Sequence, residues 1–227
     1  MKNKFYPYAS GSLIYSLCKN VKSMKRKILV ASSNPGKVAE LKACLGTEVQ
    51  WLGLSDFENI AEIEEDGATF AENARKKARH YAKTTSVCTI ADDSGLVIDA
   101  LEGAPGVKSA RFSGEKDSDR SLIDHKNMAK VLKLLEGVPK EKRTARFVCC
   151  LCLASPEKIL AETEGTLDGF INDKPVGENG FGYDPIFFVP QLNKTVAQLS
   201  TEEKNSISHR GKAIKKLKPA LEKLLSD

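Results

Sequence analysis

The chain has 227 residues, 41% of them hydrophobic, enough to bury a core as one domain. Its apolar runs, such as residues 27–31 and 185–190, fall far short of the roughly 18 residues a bilayer span needs, so no membrane segment is expected. The formal charge of +5 at pH 7 is spread along the chain; it suits small anions and does not mark a nucleic-acid polymer as partner.

The 6 cysteines (Cys18, Cys44, Cys88, Cys149, Cys150 and Cys152) show no regular framework spacing and lie mostly in apolar runs, Cys149 and Cys152 included. That pattern reads as reduced core thiols in a cytoplasmic protein. Residues 1–23 carry no acidic side chain and are followed by Met24. They read as a loosely ordered extension from an upstream in-frame start, with a targeting segment as the alternative. Residues 24–227 are expected to form a single α/β domain.

Within that domain, residues 27–31 predict a short buried strand, and Val38, Leu41 and Leu45 at helical spacing predict a helix. The loop between them, Ser32-Ser33-Asn34-Pro35-Gly36-Lys37, places Asn34 as N-cap and Pro35 at the first helical position. Such a start aims backbone N–H groups and the positive dipole end at the loop, where Lys37 adds a full charge. An anion site and an ordinary capped helix both fit. The Walker A glycine spacing is missing, and Val38 stands where its hydroxyl residue belongs.

An acidic knot, Glu62 to Gly67, precedes a capping box at Thr69-Phe70-Ala71-Glu72. The helix that follows sets Phe70, Ala74, Lys77, Ala78 and Tyr81 on one face. The run from Val87 to Ala91 predicts a strand ending in Asp92-Asp93-Ser94-Gly95, read as a turn before a second extended run from Leu96 to Leu101. Adjacent carboxylates at a strand's C-terminal end suit a hard cation such as Mg²⁺. The acidic knot offers either a second carboxylate for it or a solvated turn.

Beyond, residues 119–136 predict a helix with Leu122, Met128, Ala129, Leu132 and Leu135 inward. Residues 146–153 are apolar on both faces, as in a central strand, and Ile159 to Thr163 return antiparallel, giving a mixed sheet. Residues 175–185 combine glycines with Phe181 and Tyr183, a pattern that lets backbone and an aromatic face approach a planar base. A second capping box opens at Ser200; Lys204, His209 and Arg210 then precede an amphipathic helix.

Five blocks stand in order: SSNPGK with VAEL, EEDGATFAENARKKA, IADDSGLVIDALEGAPGVKSARFSG, GENGFGYDPIFFVP, and EEKNSISHRGKA. From Ile28 to about Leu224 the chain resembles the inosine-triphosphate pyrophosphatase family, which hydrolyses aberrant purine nucleoside triphosphates to monophosphate and pyrophosphate. The resemblance implies an α/β fold with an elongated mixed sheet flanked by helices, two lobes around a nucleotide cleft, a homodimer, and dependence on Mg²⁺. It implies that Ser32, Ser33, Asn34, Pro35, Gly36, Lys37 and Lys204 hold the triphosphate, with Ser94 beside it. Asp93 becomes metal ligand and general base, with Asp92 in reserve and Glu64 as second ligand ahead of Glu65. Phe181, Gly182, Tyr183, Asp184, His209 and Arg210 would enclose the base.

Overall fold

The computed structural model describes residues 25–46, 48–58, 60–115 and 119–226. The extension expected over residues 1–23 lies outside them. Seven strands form one mixed sheet in the order β2-β1-β3-β4-β5-β6-β7. The first three, β1 (Lys27–Ala31), β2 (Gln50–Leu52) and β3 (Cys88–Ile98), are mutually parallel. The rest, β4 (Thr144–Ala154), β5 (Ile159–Ile171), β6 (Phe187–Val189) and β7 (Lys194–Thr195), run antiparallel in succession. No helix among the described residues is long and apolar enough to cross a membrane.

Strand alternation divides the core. Ile28, Val30, Ile90 and Leu151 face α1 (Pro35–Leu45) and α5 (His209–Ser226), whereas Leu29, Ala31, Ala91 and Cys150 face α2 (Phe70–Thr85). Further along the first face, Leu96, Ile98 and Phe147 pack on α3 (Arg120–Leu134). Both capping boxes form, at Thr69 and at Ser200, the latter opening α4 (Thr201–Ile207). In α3 the buried side chains are Asp124, Asn127, Met128 and Val131. Leu122, expected inward, is 48% exposed, because two polar side chains have taken the inner face of the first turns.

Asp92-Asp93-Ser94-Gly95 is not a turn. It continues β3, paired with β4 at Asp92↔Leu151 through Gly95↔Val148. Gly95 serves close packing there: a Cβ would stand 2.8 Å from the Gly106 carbonyl oxygen and overlap the Ser109 hydroxyl. Gly211 plays a similar part where α5 crosses α4, since its Cβ would overlap the Asn205 carbonyl. Gly211→Ala is therefore expected to destabilise by about 1–3 kcal/mol, by overpacking. Urea unfolding measures this, and a change below about 0.5 kcal/mol contradicts the contact.

Candidate active site

β1 pairs with β3 only as far as Ala31↔Ala91, while β3 continues against β4 to Ile98↔Ala145. Past Ala91 one edge of β3 is open. The chain leaves β1 for β2 on one side and β3 flanks the other, so this is the sheet's switch point, where open α/β sheets bind ligands. A cavity of about 360 Å³ fills the crevice.

Alternation separates the two aspartates, which therefore do different work. Asp92 faces α1 and α5. Its Oδ1 is 2.6 Å from Lys37 Nζ, and its Oδ2 accepts from Arg210 Nε at 2.8 Å and from the Cys149 thiol at 3.2 Å. Burial opposes its ionisation, yet the Arg210 guanidinium and Lys37 ammonium hold it well below the usual carboxylate range. Arg210 also donates to Ser94 Oγ at 2.8 Å and pairs with Glu40. Asp92 is thus an internal counter-ion, not a spare base.

Asp93 faces α2, where Oδ2 accepts from Asn73 Nδ2 at 3.1 Å and Oδ1 lies 3.4 Å from Lys77 Nζ. Burial pushes its carboxyl above the ordinary value, with Lys77 and Lys37 opposing incompletely. Lys77 sits closer to Glu65, at 2.6 Å, and to the Asp92 carbonyl, at 2.7 Å. Burial would lower Lys77, but Asp93 and Glu65 raise it. The acidic loop is tied to α2, because Gly67 N donates to Asn73 Oδ1 at 2.8 Å and Ile63 N to the Tyr81 hydroxyl at 3.4 Å.

At the other end, Phe181 lies against the first turn of α1: its ring is 2.6 Å from where a Gly36 Cβ would stand. Lys204 Nζ is 4.6 Å from that ring's centroid, 2.7 Å from Asp184 Oδ2 and 2.8 Å from Glu40 Oε1. His209 stacks on Phe147 at 4.9 Å, and its buried Nδ1 has no partner. Burial and the neighbouring Arg210 keep its imidazole neutral, well below the usual histidine range.

The donor set fits a divalent cation. Lys37, Lys77, Lys204 and Arg210 face Glu40, Glu65, Asp92, Asp93 and Asp184, so the crevice is no cationic trap for a polyphosphate. Asp93 and Glu65 bracket one ammonium with hard oxygen donors. No group of three or more His, Cys, Asp or Glu among the described residues makes a ready cage. The Asp93 and Glu65 carboxylates are the hard oxygen donors the crevice offers a divalent cation.

The family model described as the Ham1 family matches residues 28–220. The chain belongs to the Ham1 family. It is 49% identical over 199 residues to a dITP/XTP pyrophosphatase of Desulforamulus reducens, covering 87% of this chain and 96% of that protein. A dITP/XTP pyrophosphatase of Geobacter sulfurreducens is 50% identical over 196 residues, covering 86% and 96%. The Staphylococcus aureus Ham1 protein superposes with a TM-score of 0.76 at 43% identity, over 87% of this chain and 98% of that one. A HAM1 protein from Coxiella burnetii gives 0.77 at 41%, over 87% and 99%. The family agrees with the resemblance drawn from the sequence blocks.

In the Ham1 crevice the structure gathers Ser32, Ser33, Asn34 and Lys37 of the first loop with Asp93 and Ser94 of β3. Residues 181–184, Lys204, His209 and Arg210 complete the wall. Asn34 caps α1, accepting from Gly36 N at 3.0 Å and Lys37 N at 3.3 Å, with Pro35 opening the helix as expected. Pro35 and Gly36 themselves stay off the cavity wall. So does Glu64, which is exposed, while Glu62, Ile63 and Glu65 of the same segment reach the cavity wall. Lys204, expected at the triphosphate, lines the same cavity as the first loop, beside Phe181. The sequence reading missed Glu40, three residues after Lys37 on α1, and placed Lys77 and Asn73 merely within a helix. One buried lysine on an otherwise apolar face was the available signal.

Proposed function

We propose that the protein hydrolyses aberrant purine nucleoside triphosphates (dITP, ITP and XTP) to the monophosphate and pyrophosphate, with Mg²⁺. The observation that carries this is the union, in one crevice, of a capped helix start bearing Lys37, a carboxylate pair, and an aromatic slot lined by donors. The names of the Desulforamulus and Geobacter relatives support it. Residues 24–227 act as one nucleotide-handling domain in this reading; cytoplasmic residence rests on the cysteine pattern and homodimerisation on the resemblance.

When bound between Asp93 and Glu65, Mg²⁺ supplies charge neutralisation on the phosphate oxygens. Lys37 exchanges Asp92 for a phosphate oxygen, and Ser32 and Ser33 line the same loop. Asp93, its basicity raised by burial, takes the proton of the attacking water. Lys77 keeps that carboxylate and Glu65 apart and in register. At the slot, Phe181 offers its ring to the purine, while Lys204, His209 and Arg210 offer donors to a 6-keto oxygen. Adenine presents a 6-amino donor there, and a site built to pair with an acceptor leaves donors facing donors; such mismatches discriminate by about 10⁴ or more.

Hydrolysis of dITP, ITP, XTP, ATP and GTP, with and without Mg²⁺, tests the reading if pyrophosphate and orthophosphate are quantified separately. Mg²⁺-dependent pyrophosphate from the first three is expected, with ATP nearly inert and GTP, which keeps the 6-keto oxygen, excluded sterically at its 2-amino group; orthophosphate as product moves the cut and overturns it. Lys37→Ala should raise KM about 10- to 100-fold, the worth of one charge-assisted contact, at an unchanged ITP-to-ATP ratio. A changed ratio at unchanged KM contradicts the role of Lys37.

A further inference from the structure

The aromatic loop is anchored from outside the crevice as well as within it. Two successive amides end on carboxylates: Phe181 N donates to Asp184 Oδ2 at 2.9 Å, and Gly182 N to Asp124 Oδ2 at 2.8 Å. Asp184 belongs to the loop and is neutralised by Lys204. Asp124 comes from α3, 58 residues earlier, and is neutralised by Arg120 one turn before it, at 3.3 Å. Asp124 and Arg120 both reach the cavity wall. Gly182 adopts φ +63°, a left-handed conformation that favours glycine and sets the direction of its amide.

A buried acid on the inner face of α3, with Met128 and Val131 on the same face, has no packing role to explain it. Such a group is tolerated only when its oxygens are paired: here Oδ2 accepts from Gly182 N and Oδ1 meets the Arg120 guanidinium. Asn127, on the next turn of α3, accepts from Ser113 N at 2.7 Å and donates to the Ser109 carbonyl at 3.4 Å. The Tyr183 hydroxyl donates to that same carbonyl at 2.8 Å. Hence α3 holds both the 182–183 segment and the turn opposite it.

Resting on the function proposed above, we infer that Asp124 is a positioning residue of the purine subsite: it fixes the Gly182 amide, and through it the plane of Phe181 over Lys204. Arg120 holds Asp124 in place. The residue touches the loop and not the reacting atoms, so its loss should alter purine binding while sparing phosphate binding and the chemical step.

The test compares Asp124→Ala, Asp124→Asn and Arg120→Ala with wild type for KM and kcat on XTP and ATP, and for inhibition by inorganic tripolyphosphate. Removing one charge-assisted acceptor predicts a roughly tenfold higher KM for XTP in Asp124→Ala. The XTP preference should fall, with kcat and tripolyphosphate inhibition within about threefold. Asp124→Asn keeps an oxygen for the Gly182 amide and should restore most of the KM. Should Asp124→Ala not fold, Arg120→Ala, changed at a half-exposed side chain, should still raise KM for XTP about threefold at unchanged kcat. The inference is overturned by a normal KM in the variant examined, by Asn failing as fully as Ala, or by tripolyphosphate inhibition weakening in step. A wild type with no preference for XTP over ATP overturns the functional reading first, and the inference with it; a preference that the variants leave intact overturns the positioning role alone.

Discussion

Asp93→Asn should lower kcat on XTP by about 10²–10⁴-fold, the usual contribution of a positioned base, without loss of stability. The carboxylate is buried and raised above its ordinary value, so at neutral pH its charge is carried against desolvation. An amide of the same shape removes that burden and still meets Asn73, and Lys77 keeps Glu65 at 2.6 Å. The sign of the pH effect follows. With the folded value above the unfolded one, the native state holds the proton to higher pH, so wild-type stability falls as pH rises through that interval; the variant lacks the decline. Turnover under saturating substrate and Mg²⁺, with thermal melts at pH 4 and pH 7, measures both. Activity within tenfold of wild type would remove Asp93 as the base.

Asp92→Asn acts in the opposite sense. It strips the shared counter-ion from Arg210, which is 2% exposed, and from Lys37. Removing one member of a buried ion pair typically costs about 3–5 kcal/mol. In a domain of this size that is a fall in Tm of roughly 10 °C. Because Asp92 is held well below its unfolded value, its contribution is complete above the ordinary carboxylate range and disappears as pH falls through the depressed folded value. Denaturant unfolding at pH 7 and pH 3 should therefore show a large gap between wild type and variant that narrows in acid. Equal stability at pH 7 would mean that Glu40 alone suffices for Arg210.

Where local chemistry dictates local structure, the sequence was legible. Asn34 before Pro35, and Thr69 and Ser200 each three residues before a glutamate, predicted three helix starts that the structure contains. The central place of β4 followed from its two apolar faces, and β5 returns antiparallel to it as expected. Elsewhere, partners distant in sequence decided the outcome. Asp-Asp-Ser-Gly has turn chemistry, but the β4 ladder holds it extended while the missing β1 pairing leaves its side chains a cavity to face. Glu64 and Glu65 are neighbours of one type in one loop, and only the tertiary fold decides that Glu65 reaches the cavity and Glu64 does not. Glu40 acquires its role from Arg210, 170 residues away.

Every cation of the crevice already has an anion within the fold. A nucleotide arriving at Lys37 therefore competes with Asp92 and not with bulk chloride, and capture becomes an exchange of one anion for another. Mobile ions screen charges exposed to solvent far more than such enclosed pairs. The protein's affinity for a triphosphate should accordingly vary little between dilute and physiological salt, and respond chiefly to the supply of divalent cation that travels with the substrate.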